Sequence, residues 1–244
     1  MSTSNQPVVY RLPDANGVAQ AAANAFYEKL AEVLRHKPEA HVMLTGGTVG
    51  IATLAAIGDH ELASTAEFKR VNFWWGDERY VAADSPDRNA GQAQKALFSK
   101  ISIDTTKIHE FPSTDSGLTL DEAAIQFANH VARVVPTFDI VFMGMGPDGH
   151  ICSLFPGKQT PPAGLHIIAE HDSPKPPPER LSFTYEALNA ADEIWFVVAG
   201  SDKQDAVSVA FGDSPQSLPV GRVRGKTKTV WFVDNAAGNA TWGC

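Results

Sequence analysis

The stretch that decides the fold of this chain lies at residues 138–150 and reads FDIVFMGMGPDGH. Its first part, Phe138–Met143, is largely apolar, which is typical of a strand buried on both faces of a parallel sheet. Its second part, Gly144–His150, is rich in glycine and contains a proline, which predicts a sharp, irregular turn. Because the turn presents Asp148 and His150 at the end of a buried strand, the stretch predicts an α/β sheet with chemistry at its carboxyl edge.

Apolar runs and amphipathic stretches alternate over the rest of the chain. Across Asn16–Arg35, for example, apolar residues recur every three or four positions, which is the period of a helix with one buried face. The alternation predicts a doubly wound α/β fold, with a mostly parallel sheet, helices on both faces and a single domain over residues 1–244. The predicted strands are Val8–Leu12, His41–Leu44, Val71–Trp75, Phe138–Met143, Leu165–Ala169, Leu181–Thr184, Ile194–Val198 and Val230–Val233. The predicted helices are Asn16–Arg35, residues 49–57, Asn89–Leu97, Leu120–Val135 and Ser201–Phe211.

The charge balance of the chain limits the classes of partner that it can bind. Asp and Glu number 28 against 20 Lys and Arg, so the formal net charge is −8. We therefore expect no nucleic-acid partner, because a long phosphate track needs an extended basic face. A small anionic substrate remains compatible with this charge if a local cluster of cations meets it.

The cysteines and the apolar runs bear on the compartment. The only cysteines are Cys152 and Cys244, too few for a disulfide framework or an all-thiolate zinc site. The eight histidines show no metal-ligand spacing, so we expect no required metal. No apolar run is long enough to span a bilayer, and residues 1–7 do not resemble a signal peptide. We therefore expect a cytoplasmic protein with no membrane partner, and its oligomeric state stays open.

Four polar clusters each follow a predicted strand, and we expect them to form one site. They are Thr45–Thr48, Gly76–Arg79, Gly144–His150 and Gly200–Lys203. The carboxyl ends of parallel strands meet at one edge of a sheet, where ligands of open α/β folds bind. Two stretches rich in Pro and Gly, Pro156–Gly164 and Ser173–Pro178, are interpreted as loops around this site.

The residue types in these clusters indicate an anion and a base. Gly46, Gly47 and Thr48 precede an apolar helix, whose first N–H groups attract an anion. His150 titrates near neutrality and is the candidate general base, which Asp148 can orient. Arg79, Arg180 and Lys203 are candidate cations for an anionic ligand if the fold brings them together.

Each of these features also has a purely structural interpretation. Thr48 can be a helix N-cap, and Asp77-Glu78-Arg79 can be a solvated turn with local ion pairs. Cys152 lies two residues after His150, so a Cys–His nucleophile is conceivable, but a small buried apolar residue is the commoner role of cysteine. The chain has neither a phosphate-binding loop of the Walker type, nor the dinucleotide fingerprint, nor a G-x-S-x-G elbow.

The ordered motifs are similar to those of the 6-phosphogluconolactonase family, within the glucosamine/galactosamine-6-phosphate isomerase superfamily. The main motif lies at residues 138–157, and the resemblance extends from about Val8 to Asp234. Departures are Val49, Ala82 and Cys152, where other residues are usual in the family. The remaining blocks are Leu44-Thr45-Gly46-Gly47-Thr48, Trp75-Gly76-Asp77-Glu78-Arg79-Tyr80-Val81, Ser85-Pro86-Asp87-Arg88-Asn89, Arg180-Leu181-Ser182-Phe183-Thr184 and Gly200-Ser201-Asp202-Lys203.

The resemblance implies hydrolysis of 6-phospho-D-glucono-1,5-lactone to 6-phospho-D-gluconate in the pentose phosphate pathway, with no metal and no organic cofactor. It implies that His150 activates water and that Asp148 and Gly149 set its geometry. The implied phosphate and oxyanion neighbourhood comprises Gly46, Gly47, Thr48, Asp77, Arg79, Arg180 and Lys203. Which of the three cations meets the phosphate and which meets the oxyanion stays open.

Two other functions compete with this interpretation. A glucosamine-6-phosphate deaminase shares the Asp-Gly-His element but carries an acidic residue shortly after the histidine, and Ser153–Gly157 has no carboxylate. A sugar-phosphate sensor would use the fold without catalysis and usually carries a DNA-binding segment. The residues before Thr45 are taken up by a tail, two predicted strands and a helix, and His150 itself favours an enzyme.

Overall fold

The computed structural model describes residues 6–134 and 137–238. Its strands are β1 (Val8–Leu12), β2 (Ala40–Leu44), β3 (Val71–Trp75), β4 (Asp77–Arg79), β5 (Ile140–Met143), β6 (Ile167–Glu170), β7 (Arg180–Phe183), β8 (Glu193–Val198) and β9 (Lys228–Asp234). Its α-helices are α1 (Ala15–His36), α2 (Gly47–Gly58), α3 (Asn89–Ala93), α4 (Leu120–Val134), α5 (Tyr185–Asn189) and α6 (Gln204–Ala210).

The main sheet has six strands in the order β1-β9-β8-β5-β2-β3, and all neighbouring pairs are parallel. The register pairs Met43 with both Trp74 and Val141, so these side chains share one face and Phe142 lies on the other. Phe142 packs against Phe26 of α1, whereas Trp74 packs against Phe127 of α4. Helices therefore cover both faces, and the predicted α/β class is confirmed.

A second, smaller sheet was not predicted. It is antiparallel, with the order β4-β7-β6, and it lies against α4 through contacts of β6 and β7. The sequence predicted strands near β6 and β7 but placed Asp77–Arg79 in a turn. Three consecutive charged residues carry no apolar alternation, so periodicity gives no sign of β4.

Most of the predicted elements are present, with shifts at their ends. Residues 89–97, predicted as one helix, form α3 followed by a π-helical turn, Gln94–Phe98. Residues 201–211 form a 3₁₀ turn, Ser201–Lys203, and then α6. The predicted end of the fourth helix, Val135, lies outside the described residues. In the described part of the chain no helix is both long enough and apolar enough to cross a membrane.

Candidate active site

The four polar clusters at the strand ends line one cavity of about 610 Å³. Three of the clusters follow β8, β5 and β2, which are adjacent in the sheet, so their turns meet at one edge. Among the residues predicted for the site, those that line the cavity are Gly46, Gly47, Thr48, Asp77, Arg79, His150, Arg180 and Lys203. Asp148 and Gly149 do not line it but shape the turn that carries His150.

The turn after β5 needs glycine at two of its positions. A side chain at Gly146 would start 2.0 Å from the imidazole ring of His150, and one at Gly149 would start 2.7 Å from Leu218. Gly149 also has a φ of +77°, which disfavours other residues. The turn is closed by the Gly146 N–H, which donates to the His150 carbonyl at 2.9 Å. The backbone therefore holds the imidazole close to its own turn.

The imidazole of His150 is held by a carboxylate. Its Nδ1 atom lies 2.5 Å from Asp148 Oδ1, and its ring packs against Phe155 with centroids 4.8 Å apart. Burial lowers the pKa of His150, and the hydrogen bond that its Nδ1–H donates to Asp148 opposes this only in part. The side chain is thus a neutral imidazole near pH 7. An Nδ1–H that donates to Asp148 leaves the Nε2 lone pair free to accept a proton.

Asp148 keeps its negative charge beside this imidazole. Burial acts to raise the pKa of Asp148, but the hydrogen bond with His150 and the charge of Lys175 hold it below its usual value. The side chains of Asp148 and His150 are 41% and 18% exposed, so the imidazole is the more enclosed of the two. A fixed carboxylate on Nδ1 both orients the ring and stabilises the imidazolium that forms when the ring takes up a proton.

Lys175 is a cavity residue that the sequence did not single out. It belongs to the Ser173–Pro178 loop, and its Nζ atom lies 3.3 Å from His150 Nδ1 and 3.7 Å from Asp148 Oδ1. The interpretation of this loop as part of the site was the only signal that pointed to it. The other loop, Pro156–Gly164, contributes no residue to the described lining of the cavity, although Phe155 just before it contacts His150.

Arg180 is buried at the start of β7 and clamps the Lys175 loop. Its guanidinium donates to the carbonyl oxygens of Lys175, Pro176 and Pro177 at 3.0–3.1 Å. Its Nη1 atom lies 4.0 Å from Asp77 Oδ2, and Asp77 also accepts from Ser153 Oγ at 2.6 Å. Arg180 therefore lines the cavity as predicted and has a second role, because three of its hydrogen bonds shape a neighbouring loop.

Glu78 shows that the segment after β3 is not a solvated turn. The residue is 1% exposed, and its carboxylate accepts from the backbone N–H groups of Arg79, Asn89 and Ala90. Burial raises the pKa of Glu78, and these hydrogen bonds and Arg88 oppose the rise. Since two of the donors belong to the first turn of α3, Glu78 ties that helix to β4 and fixes the segment that carries Arg79.

One nitrogen of the Arg79 guanidinium donates hydrogen bonds to neighbouring residues, and another has no partner among the described residues. Its Nη1 atom donates to the Asp87 carbonyl at 2.5 Å and to Asn89 Oδ1 at 3.2 Å. Its Nε atom is buried and has no hydrogen-bond partner among the described residues. The amide of Asn89, which the sequence placed only within a motif block, also packs directly over Gly46, where a Cβ would start 2.1 Å from Asn89 Oδ1. Asn89 thus joins Arg79 to the start of α2.

The first turn of α2 offers N–H groups to the cavity. The helix begins at Gly47, so Gly46 and not Thr48 is its N-cap, and no side chain caps it among the described residues. Gly46, Gly47 and Thr48 all line the cavity. Uncapped N–H groups at the start of a twelve-residue helix, beside Arg79, make a ready site for an anion.

The turn after β8 also contributes to the lining of the cavity. The Gly200 N–H donates to both carboxylate oxygens of Asp234 at 3.1 Å, and Gly200 has a φ of +104°. Lys203 follows in this turn and pairs with Asp202 at 2.9 Å. Asp202 and Asp234 also line the cavity, and neither was singled out in the sequence.

Cys152 lies in the cavity wall but is poorly suited to act as a nucleophile. Burial raises the pKa of its thiol well above the usual value, and the nearby Asp77 adds to the rise. Its sulfur lies 3.6 Å from Met143 Sδ and packs over Gly76. No cluster of three or more His, Cys, Asp or Glu side chains suited to a metal ion occurs among residues 6–134 and 137–238.

The comparisons with known proteins show the family of the chain. The family model described as glucosamine-6-phosphate isomerases/6-phosphogluconolactonase matches residues 13–231. The chain belongs to this family. The resemblance predicted from the ordered motifs is therefore confirmed.

Relatives within the family are similar over nearly their whole length. A 6-phosphogluconolactonase of Streptomyces coelicolor is 36% identical over 249 residues, which covers 97% of this chain and 95% of the relative. A 6-phosphogluconolactonase of Mycobacterium tuberculosis is 36% identical over 238 residues, covering 92% and 94%. The crystal structure of the Thermotoga maritima 6-phosphogluconolactonase superposes with a TM-score of 0.82 at 28% identity, covering 94% of this chain and all of that one.

The family fold also serves other chemistry. A monomeric glucosamine-6-phosphate deaminase superposes with a TM-score of 0.78 at 18% identity, and it shares the fold alone with this chain. The fold therefore does not distinguish a lactonase from a deaminase. The distinction depends on the side chains of the site.

Proposed function

We propose that this enzyme hydrolyses 6-phospho-D-glucono-1,5-lactone to 6-phospho-D-gluconate, the lactonase step of the pentose phosphate pathway. The observation that carries the proposal is the neutral His150, held by Asp148 in the lining of a cavity that also contains an uncapped helix start and Arg79. A phosphorylated lactone needs both features, because one end of it is an ester and the other an anion. The family membership of the chain supports the same activity.

The chemical step follows from the free Nε2 of His150. A water attacks the lactone carbonyl while Nε2 takes one of its protons, so that a C–O bond forms and the carbonyl oxygen becomes an oxyanion. When the intermediate collapses, the bond from carbon to the ring oxygen breaks and the imidazolium returns the proton to that oxygen. Water, an imidazole and fixed charges account for the step, so no cofactor takes part in it.

Asp148 acts on this step through His150. Its carboxylate accepts the Nδ1–H, which keeps Nε2 as the basic nitrogen, and its charge stabilises the imidazolium in the transition state. Gly149 contributes by its backbone conformation, which lets the chain turn between the two side chains.

The phosphate is proposed to bind at the first turn of α2. Gly46, Gly47 and Thr48 supply N–H groups and a hydroxyl there, with Arg79 beside them. Arg180 and Lys203 add positive charge to the same cavity, where Asp77 holds Arg180. Binding energy at the phosphate orients the distant carbonyl for attack, which raises the rate of the chemical step.

The deaminase alternative lacks a residue in this site. The Ser153–Gly157 segment after His150 contains no carboxylate that could move protons during the opening of an amino-sugar ring.

The proposed location of the enzyme is the cytoplasm, which is supported by the free thiol of Cys152.

The test is product formation from freshly prepared 6-phosphogluconolactone. The initial rate of proton release is recorded in a pH-stat, and the spontaneous hydrolysis of the same lactone solution is subtracted. We expect a rate far above the spontaneous one, with 6-phosphogluconate as the product by NMR, and no ammonia from glucosamine 6-phosphate. A rate equal to the spontaneous one would overturn the proposal.

A further inference from the structure

Lys175 approaches the base of the proposed reaction more closely than any other cation among the described residues. Its Nζ atom lies 3.3 Å from His150 Nδ1 and 3.7 Å from Asp148 Oδ1. Because Nδ1 already donates to Asp148, the ammonium group and the ring N–H share one carboxylate oxygen. Lys175 is therefore placed to influence His150 through Asp148 as well as directly.

The backbone of Lys175 is fixed by contacts that span its loop. The Lys175 N–H donates to Ser173 Oγ at 3.2 Å, and Ser173 Oγ donates back to the Lys175 carbonyl at 2.9 Å. Arg180 Nη2 donates to the same carbonyl at 3.0 Å. Since Arg180 is buried at the start of β7, the small sheet positions Lys175 over the turn that follows β5.

The charges around His150 come from three elements. Asp148 belongs to its own turn, Lys175 to the loop before β7, and Asp77 to β4. Asp77 in turn faces Arg180 at 4.0 Å, so its charge is partly balanced. The ring of Phe155, which packs against His150, is uncharged. Lys175 is thus the cation that opposes Asp148 at the imidazole.

We propose that Lys175 is a positioning residue for His150, whose ammonium group shares Asp148 Oδ1 with the imidazole and opposes protonation of the base. The inference rests on the proposed function for its kinetic meaning but on geometry for its place in the site. Arg180 serves the same end by holding the loop.

The physical reason is the balance of charge in the two protonation states. With neutral His150, the Lys175 ammonium and the Asp148 carboxylate form a balanced pair. When His150 takes up a proton, two cations lie 3.3 Å apart and compete for one carboxylate. Lys175 therefore lowers the pKa of His150, whereas Asp148 raises it. Without Lys175, protons would inactivate the base at a higher pH.

The test is the pH dependence of kcat/KM in Lys175→Gln, Lys175→Arg and wild type. We expect the acidic limb of Lys175→Gln to move to higher pH, so that its activity on that limb falls about three- to tenfold more than its activity on the neutral plateau, each relative to wild type. Lys175→Arg retains the charge and should keep the wild-type limb. Lys158→Gln is the matched control, because Lys158 pairs with Glu170 outside the cavity lining.

A second measurement follows the protonation of His150 directly, without substrate turnover. The titration of His150 in isotope-labelled protein is followed by NMR, with the resonance assigned through a His150→Gln variant. We expect the midpoint to move upward in Lys175→Gln and to stay in place in Lys175→Arg and Lys158→Gln. An unmoved midpoint in Lys175→Gln, or an equal activity loss at every pH, would overturn the proposal. Absent lactonase activity in wild type would instead overturn the proposed function, while the titration would still test Lys175.

Discussion

Histidines lie at the carboxyl edge and at the amino edge of the main sheet. The pKa of the imidazole is lowered at both edges, but the neighbouring groups differ. At the carboxyl edge, His150 contacts a carboxylate and a lysine and opens onto the cavity. At the amino edge, His109 Nδ1 lies 3.0 Å from His130 Nε2 and its own Nε2 lies 3.0 Å from Asn72 Oδ1. The His109 ring stacks on Trp74 with centroids 3.8 Å apart.

Burial lowers the pKa at both edges, so this shift alone does not mark a base for catalysis. Burial, helped by the neighbouring His130, lowers the pKa of His109 to about 4. No carboxylate is within hydrogen-bond distance of this ring among the contacts described, and the ring does not line the cavity. An imidazole becomes a candidate base where a carboxylate orients it and a substrate can reach it.

The largest expected effect is that of His150→Ala on turnover. Removing a general base typically costs about 10²–10⁴-fold in rate, and the role proposed for His150 is confined to the reacting carbonyl and ring oxygen. We expect kcat to fall by this amount and KM to change little, measured as proton release from fresh lactone. A His150→Ala variant with wild-type kcat would show that the histidine at the carboxyl edge is not a general base.

The next effect concerns the phosphate end of the substrate. Charge-assisted hydrogen bonds contribute about 1.5–3 kcal/mol each, so loss of the phosphate should lower kcat/KM by about 10²-fold or more. Glucono-δ-lactone should therefore be a poor substrate beside its 6-phosphate. Arg79→Gln should reduce kcat/KM for the phosphorylated lactone and leave that for the unphosphorylated one nearly unchanged. Equal losses on both lactones would show that Arg79 does not recognise the phosphate.

The smallest effect is on stability, and it belongs to the amino edge. His109 stays neutral in the folded chain down to about pH 4, whereas the unfolded chain takes up this proton near its ordinary pKa of 6.5. The contribution of the neutral His109 to the free energy of unfolding is therefore fully present above about pH 6.5 and is lost as the pH falls toward 4. By pH 5 the full pKa difference corresponds to about 2 kcal/mol, and solvent screening of this half-buried ring reduces the expected loss to about 1 kcal/mol.

The check is urea unfolding of wild type and His109→Gln at pH 7.5 and pH 5. The variant should lose less stability than wild type between the two pH values. His171→Gln is the control, because His171 is exposed and pairs with Asp121 at the surface. If His109→Gln and wild type lose the same free energy, the amino-edge histidines are not held neutral by burial.

The sequence predicted the main sheet well because its strands are buried on both faces. Phe138–Met143 and Val71–Trp75 are apolar enough to be recognised without their partners. The small sheet escaped prediction because β4 is Asp-Glu-Arg, and only the fold shows that Glu78 is buried under the first turn of α3. Charged residues of this kind are buried by long-range hydrogen bonds, which no local pattern records.

The candidate site was predictable where glycines and strand ends mark it. Gly46, Arg79 and His150 each follow an apolar strand, so their convergence follows from a parallel sheet. Lys175 was not predictable in this way, since a loop rich in proline gives no sign of which neighbour its lysine meets. The distance that matters, between residues 25 positions apart, is set by Arg180 and the small sheet.

The central claim is that the chemistry of this chain takes place at the carboxyl edge through His150. The most direct test measures kcat of wild type, His150→Gln and His109→Gln on fresh 6-phosphogluconolactone at pH 7.5, with spontaneous hydrolysis subtracted. The claim predicts that His150→Gln loses about 10²-fold or more while His109→Gln stays within about threefold of wild type. Equal kcat values in His150→Gln and wild type would contradict it.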